Sequence, residues 1–115
     1  MFIIEDDQST RTFLKRLLCL SGFNVMGAAK NGEEAVKIFK SFIDKPDIIL
    51  LDHRMPVKNG IKTTKEILNI ENKSKIVFMS ADSSIKEKAL LLGALDFIEK
   101  PFSIDFLIET IKKYV

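Results

Sequence analysis

Five short apolar segments alternate along the chain with five segments whose apolar residues recur at helical spacing. The apolar segments span 1–5, 24–28, 48–51, 76–79 and 95–99. Strands that alternate with helices in this way form right-handed crossovers and a parallel sheet with helices on both faces. The pattern therefore predicts an α/β fold: a single doubly wound domain over residues 1–115, with a five-stranded parallel sheet and five helices.

The pattern also predicts helix ends and buried faces. Asp7 is expected in a solvated loop with a helix N-cap. Ser9 or Thr10 is expected to cap the first helix, and Gly22 to end it. Cys19, inside this helix, is expected to be a buried small hydrophobe. The residues expected to face the core are, helix by helix, Phe13, Leu14, Leu17, Leu18 and Ser21; Ala35, Val36, Phe39, Phe42 and Ile43; Ile61, Thr64, Ile67 and Leu68; Ile85, Ala89 and Leu92; and Ile104, Leu107, Ile108, Ile111 and Val115.

The composition excludes several classes of function. The 115 residues carry a net charge of +2 with scattered lysines, which favours a solvated surface over a nucleic-acid patch. The single cysteine allows no internal disulfide and no zinc site built from cysteines. Since no apolar run approaches the ~18 residues of a membrane span and no signal peptide is visible, we expect a cytoplasmic protein.

The segment Ile48–Leu51 ends abruptly in a carboxylate, Asp52, and lies between Pro46 and Pro56. A short apolar run bounded in this way is typical of a strand buried on both faces of a parallel sheet. Asp52 then stands at the carboxyl end of a central strand, where open α/β sheets bind their ligands. We interpret Asp52 as a nucleophile that accepts a phosphoryl group.

Polar residues close four of the predicted strands: Glu5 with Asp6, then Asp52, Ser80 and Lys100. Because the carboxyl ends of parallel strands lie side by side, these residues should converge on one edge of the sheet. Carboxylates held so close repel each other unless a cation lies among them or one of them takes up a proton. Hard oxygen ligands with room for water suit Mg²⁺, so the sequence predicts a magnesium site at this edge.

The other strand ends supply donors for phosphoryl oxygens. Pro101 holds Lys100 out of helical geometry, and the ammonium can pair with Asp52 or with an anion bound beside it. The hydroxyl of Ser80 can bind another phosphoryl oxygen. A cation, two such donors and a carboxylate that attacks in line are the parts that phosphoryl transfer requires.

These residues resemble the response-regulator receiver domain of two-component signalling over the whole chain. The resemblance rests on Glu5-Asp6, Asp52-x-x-Met55-Pro56-x-x-x-Gly60, Ser80-Ala81, Phe97 and Lys100-Pro101-Phe102, in this order and spacing. It implies the flavodoxin-like and CheY-like strand order 2-1-3-4-5. It also implies that Asp52 is phosphorylated from a phosphohistidine on a sensor histidine kinase or a phosphotransfer protein. The protein would then catalyse only its own Mg²⁺-dependent phosphorylation and autodephosphorylation.

The resemblance also assigns the metal ligands and the switch residues. Asp6 and Asp52 would bind Mg²⁺ directly, Glu5 through water, and Arg54 through its backbone carbonyl. The remaining roles concern the phosphoryl group and the output: Ser80 and Lys100 would bind phosphoryl oxygens, Ala81 would leave space beside them, the Lys100–Pro101 peptide bond would be cis, and Phe97 would be the switch aromatic that moves with Ser80. Phosphorylation would then change the surface of helix 4, strand 5 and helix 5, which controls a downstream protein or self-association.

Two further residues are predicted to line the rim of the pocket. Arg54 and Asp82 each lie two residues beyond a site residue, Asp52 and Ser80 respectively. We hypothesise that they pair across the mouth and hinder the water that hydrolyses the aspartyl phosphate. His53, beside the acceptor, is interpreted as an ordinary loop residue.

Three other functions fit parts of the pattern. The first is an interaction domain of the same fold that never takes a phosphoryl group, which the presence of Asp6, Asp52 and Lys100 argues against. A phosphohydrolase would carry an acid two residues after its nucleophile, where this chain has Arg54. A flavodoxin would need a phosphate-binding loop after the first strand, where Glu5 and Asp6 would repel a phosphate.

Overall fold

The computed structural model describes residues 1–53 and 59–115. The elements, in chain order, are β1 (Phe2–Ile4), α1 (Gln8–Leu20), β2 (Gly27–Ala29), α2 (Gly32–Ser41), β3 (Ile48–Asp52), α3 (Gly60–Ile70), β4 (Lys75–Ser80), a 3₁₀ turn (Ser83–Ile85), α4 (Lys86–Leu92), β5 (Asp96–Glu99) and α5 (Ile104–Lys112). All neighbouring strands pair in parallel in the order β2-β1-β3-β4-β5. The predicted fold class and strand order are confirmed.

Side chains of the central strands alternate between two cores, one on each face of the sheet. In β3, Ile49 and Leu51 face α2, α3 and α4, whereas Ile48 and Leu50 face α1 and α5. All four side chains are fully buried. This burial on both faces explains why the strand is a continuous apolar run without polar alternation. Asp52 interrupts the run at the point where the strand reaches the edge of the sheet.

Short polar side chains begin most of the helices. Asp7 accepts a hydrogen bond from the Thr10 amide, and Asn31, Asn59 and Ser103 cap α2, α3 and α5 in the same way. Each cap satisfies one of the amides that the first turn of a helix leaves without a partner. The cap of α1 is therefore Asp7, and the prediction of Ser9 or Thr10 as that cap was wrong, although the N-cap expected around Asp7 is present. Within the described ranges, none of the helices is both long and apolar enough to cross a membrane.

Several expectations about burial fail near the helix ends. Ile43 is 98% exposed because α2 ends at Ser41. The ammonium of Lys45 donates to the carbonyls of Phe39 and Phe42, at 2.8 and 2.7 Å, and closes the helix there. Other side chains expected in the core but found exposed are Phe13, Cys19, Ser21, Ile104 and Val115. The second strand is also shorter than predicted and shifted towards its carboxyl end.

Candidate functional site

The first, third and fifth strands bring Glu5, Asp52 and Lys100 together at the carboxyl edge of the sheet. The Lys100 ammonium lies 2.9 Å from a carboxylate oxygen of Glu5 and 3.5 Å from one of Asp52. Both acids are almost fully buried, whereas the lysine side chain is partly exposed. Residues separated by up to 95 positions therefore meet, as the strand-end pattern predicted.

Asp6 completes a group of three carboxylates with Glu5 and Asp52. One ligand oxygen from each residue lies within 4.8 Å of the other two, and the side chain of Asp6 is exposed. Three carboxylates with an open side for water match the preferences of Mg²⁺. They do not match those of softer metals, which favour sulfur or imidazole ligands. The residues present therefore fit a magnesium ion.

Burial raises the pKa of both inner carboxyl groups and makes them weaker acids than usual. Burial raises the pKa of Glu5 to about 7, with the charge of Asp52 adding to the effect and the hydrogen bond from Lys100 opposing it. Burial also raises the pKa of Asp52, against the opposing charge of Lys100. The carboxylate pair thus holds negative charge at a cost, which a bound cation would remove.

The surroundings of Lys100 favour its charged form, unlike those of the two acids. Burial alone would lower the pKa of its ammonium, but the hydrogen bond to Glu5 and the charge of Asp52 outweigh it and raise the pKa. The residue is held at its backbone as well, since its amide donates to the carbonyl of Ser80 at 2.9 Å. The Lys100–Pro101 peptide bond is cis. The ammonium therefore stays charged at the edge of the sheet.

Ser80 ends β4 with a fully buried side chain. Its hydroxyl accepts a hydrogen bond from the amide of Asp82 at 3.0 Å, and Asp82 in turn caps the following 3₁₀ turn through Ser84. The serine is thus joined to Lys100 through its carbonyl and to the loop that leads into α4 through its hydroxyl. A change at the hydroxyl would be felt directly in that loop.

The start of α3 is held closely against the end of β3. The Gly60 amide donates to the carbonyl of His53 at 2.9 Å. A Cβ at position 60 would lie 2.8 Å from the His53 Cα, 2.8 Å from the Phe78 ring and 3.1 Å from the Asp52 carbonyl oxygen. Glycine is therefore needed here so that α3 can begin in contact with the end of β3.

The ring of Phe97 is buried next to Phe78. The two rings lie nearly parallel, with centroids 6.3 Å apart and planes 13° from each other. His53 lies on the other side of the same aromatic group, 5.9 Å from Phe78. The aromatic side chain that the sequence singled out therefore occupies the core between β5 and α4.

One predicted site residue lies outside the described part of the chain, and one residue that contacts the site was not predicted. Arg54, proposed as a carbonyl ligand and as the partner of Asp82, lies outside the described residues. Arg11, which the analysis did not single out, donates from Nη1 to the carbonyl of Glu5 at 2.8 Å and to that of Asp6 at 3.3 Å. The available signal was its place one turn into the helix that follows the acidic loop.

The chain matches the family model of the response regulator receiver domain over residues 1–112. It belongs to this family. The receiver domain is 38% identical to the chemotaxis protein CheY of Thermotoga maritima, over 98% of this chain and 94% of that protein. It is 36% identical to the CheY of Bacillus subtilis over the same shares of the two chains.

Solved structures agree with this assignment. The receiver domain superposes on the CheX-CheY-BeF3-Mg complex of Borrelia burgdorferi with a TM-score of 0.92 and 28% identity, over 97% of this chain and 85% of that one. It superposes on the response regulator TrrA of Thermotoga maritima, solved with Mg(2+)-BeF, with a TM-score of 0.88 and 31% identity, over 99% and 96% of the two chains. The receiver domain is therefore a phosphorylation-activated signalling switch of two-component systems, and not an enzyme of the usual kind.

Proposed function

We propose that Asp52 accepts a phosphoryl group from a phosphohistidine of a sensor histidine kinase or phosphotransfer protein, in a reaction that depends on Mg²⁺. The observation that carries this proposal is the convergence of Lys100 on the carboxylates of Glu5 and Asp52 at the end of a buried strand. A crowded carboxylate beside a fixed ammonium is suited to binding a cation and a phosphoryl group together.

In the proposed reaction, a carboxylate oxygen of Asp52 attacks phosphorus in line with the donor. A P–O bond forms while the bond from phosphorus to the donor nitrogen breaks, and that nitrogen keeps the electron pair. Lys100 moves from Glu5 and Asp52 to a phosphoryl oxygen, and the hydroxyl of Ser80 turns from accepting the Asp82 amide to donating to another. Ala81, which is exposed beside them, leaves space for these oxygens.

The ligands that we propose for Mg²⁺ are Asp6 and Asp52 directly and Glu5 through water. The backbone carbonyl of Arg54, outside the described residues, stays a predicted ligand. When bound, the ion would neutralise charge on the phosphoryl oxygens and keep the acceptor ionised. The loss of the phosphoryl group by autodephosphorylation, and its slowing by an Arg54–Asp82 pair, also stay predictions. Phosphoryl lifetimes in Arg54→Ala and Asp82→Ala variants test them, and unchanged lifetimes in both would reject the pair.

We propose that the output surface comprises α4, β5 and α5. A hydroxyl of Ser80 that turns towards a phosphoryl group would release the Asp82 amide and let the loop before α4 move. Phe97 lies in the core that α4 covers, so the two movements would be coupled. Leu91, on the outer face of α4, is 81% exposed and offers apolar contact area for a downstream protein or a second copy of this chain.

We propose that the donor approaches beside the exposed end of α1. A cavity of about 430 Å³ lies there, lined by Thr10, Phe13, Leu14, Ala81, Lys100, Pro101 and Phe102. Its wall is mostly apolar and it reaches the lysine of the site. A helical protein carrying the phosphohistidine could rest on these side chains while its imidazole faces Asp52. A cytoplasmic location for this exchange stays a prediction.

The decisive experiment is labelling by acetyl phosphate, a small donor that needs no kinase. Wild-type protein with Mg²⁺ is expected to gain the mass of one phosphoryl group, and the gain should disappear with chelator and in Asp52→Asn. Asp47→Asn is the matched control, because Asp47 is an exposed aspartate beside the opposite end of the same strand. Labelling of Asp52→Asn, or none of the wild type, would contradict the proposal.

A further inference from the structure

The two proposed metal ligands Glu5 and Asp6 lie in a very short connection. The loop between β1 and α1 comprises residues 5–7. Its first residue donates its amide to the carbonyl of Ala29 at 3.0 Å, and its last, Asp7, accepts from the amide and hydroxyl of Thr10 at 2.9 and 2.6 Å. Both ends of the loop are therefore anchored by contacts that leave the carbonyls of Glu5 and Asp6 to be oriented by something else.

Arg11 provides that contact. One guanidinium nitrogen donates to the carbonyl of Glu5 at 2.8 Å and to the carbonyl of Asp6 at 3.3 Å. The carboxylate of Glu5 meets Lys100 instead, at 2.9 Å. Lys100 thus binds the side chain of Glu5, whereas Arg11 binds the backbone of the loop. Because the guanidinium of Arg11 binds carbonyls, it holds the ligands without occupying the oxygens that would face a metal.

We propose that Arg11 is a positioning residue for the divalent cation site, which holds the peptide planes of Glu5 and Asp6 so that their carboxylates face Asp52. The inference rests on the proposed Mg²⁺ site. Contacts that orient metal ligands commonly change metal affinity by roughly 10- to 100-fold when they are removed. Arg11 is half-buried at the first turn of α1, so its geometry is set by the helix and not by the loop that it holds.

A positioning role and a purely electrostatic role of Arg11 predict opposite changes in cation affinity when the side chain is removed, which makes the inference testable. Removing a positive charge next to three carboxylates should strengthen cation binding if charge is all that Arg11 contributes. Removing a contact that orients the ligands should weaken it. Arg11→Met keeps the aliphatic stem and deletes the donors, whereas Arg11→Lys keeps the charge and loses the planar fork.

The experiment is Mg²⁺ titration by isothermal calorimetry at low ionic strength, with circular dichroism to confirm the fold of each variant. We expect the Kd for Mg²⁺ to rise about tenfold in Arg11→Met and by a smaller factor in Arg11→Lys. The matched control is Arg16→Met, since Arg16 is an exposed arginine of the same helix, and its Kd should stay within about twofold of wild type. At saturating Mg²⁺, the rate of labelling by acetyl phosphate in Arg11→Met should return towards the wild-type value.

Each outcome decides between the inference and its alternatives. A Kd in Arg11→Met equal to or lower than that of wild type would overturn the positioning role while leaving the Mg²⁺ site intact. A wild-type protein that binds no Mg²⁺ would instead overturn the proposed function. If Arg11→Met does not fold, Arg11→Gln decides, because it also removes the charge and its shorter side chain does not reach both carbonyls; a Kd equal to or lower than that of wild type in that variant would overturn the positioning role.

Discussion

The two edges of the sheet handle charged groups in different ways. At the carboxyl edge, Lys100 stands between the buried carboxylates of Glu5 and Asp52, and the third carboxylate of the group, Asp6, is exposed. Burial raises the pKa of Glu5 to about 7 and also raises that of Asp52, so the folded chain disfavours the charge that it gathers there. This edge is electrostatically crowded.

At the amino edge, the charged and polar groups that link β4, β5 and the segment after α5 have partners at hydrogen-bonding distance. The ammonium of Lys75, at the start of β4, donates to the carbonyl of Tyr114 at 2.8 Å. The hydroxyl of Tyr114 donates to one carboxylate oxygen of Asp96 at 2.8 Å, and the amide of Phe97 donates to the other at 2.8 Å. These contacts join the end of α5 to the first residues of β4 and β5.

The difference teaches that one edge is built for stability and the other for chemistry. Groups with fixed partners stabilise the fold and have no capacity left for a ligand. Buried carboxylates that lie close together destabilise the fold until a cation is bound, and that cost is what favours cation binding. Paired substitutions, one at each edge, test this contrast.

The largest difference is expected between Lys100→Ala and Lys75→Ala. The first removes the ammonium that would bind a phosphoryl oxygen, and we expect the rate of labelling by acetyl phosphate to fall about 10²-fold or more. The second should leave that rate within about twofold and lower the free energy of unfolding by about 1 kcal/mol, through loss of one hydrogen bond. Equal labelling rates in the two variants would show that the lysines are equivalent.

A large effect on both labelling and stability is expected at the glycine beside the acceptor strand. A Cβ in Gly60→Ala would meet His53, Phe78 and the Asp52 carbonyl at 2.8 to 3.1 Å. We expect urea unfolding to show a loss of about 1–3 kcal/mol, because side chains and backbone must move. Labelling of Asp52 should slow as the end of β3 shifts.

Gly27→Ala is the control for this substitution. Its Cβ would lie 3.4 Å from the ring of Phe42, which is ordinary contact, and the residue is at an edge strand far from the acceptor. We expect little change in labelling and a smaller loss of stability. A Gly60→Ala protein as stable and active as Gly27→Ala would contradict the close approach.

The sequence predicted the architecture and the meeting of Glu5, Asp6, Asp52 and Lys100, because both follow from periodicity and from parallel strand ends. It did not predict which carboxylate Lys100 would be nearer to, since the longer side chain of Glu5 reaches the ammonium first and spacing along the chain does not encode this. It also missed the contact of Arg11 with the backbone. The exposure of Ile43 depended on where Lys45 closes a helix, and that is a tertiary contact.

Aspartate-to-asparagine substitutions are expected to change the free energy of unfolding by a smaller amount. The change should be an increase at the carboxyl edge and a decrease at the amino edge. Because burial raises the pKa of Asp52, its protonation stabilises the fold at low pH, and this stabilisation is lost as the pH rises through the raised value. Near pH 8, without divalent cations, Asp52→Asn should therefore raise the free energy of unfolding. Asp96→Asn should lower it by about 1 kcal/mol, since Asp96 accepts two hydrogen bonds.

Urea unfolding of these two variants beside wild type measures both changes. The same pair distinguishes the crowded edge from the satisfied one, because the chemical change is identical. Addition of Mg²⁺ should reverse the order at the carboxyl edge, stabilising wild type more than Asp52→Asn. Destabilisation of the metal-free protein by Asp52→Asn would show that burying the ionised Asp52 carboxylate costs the fold no stability.

The smallest effect is expected at the hydroxyl of Tyr114. Its hydrogen bond to Asp96, with burial and the carboxylate charge adding to it, raises the pKa of this phenol above 10.0. The protonated form is therefore favoured by folding: its contribution is complete below pH 10.0 and is lost as the pH rises through the higher folded value. Tyr114→Phe should lower the free energy of unfolding by about 0.5–1 kcal/mol near pH 8, and the difference from wild type should shrink in more alkaline solution.

Since the chain has one tyrosine, absorbance titration reports this group directly. A tyrosine that titrates at or below the ordinary value in the folded protein would remove Tyr114 from the set of satisfied groups and weaken the contrast between the two edges.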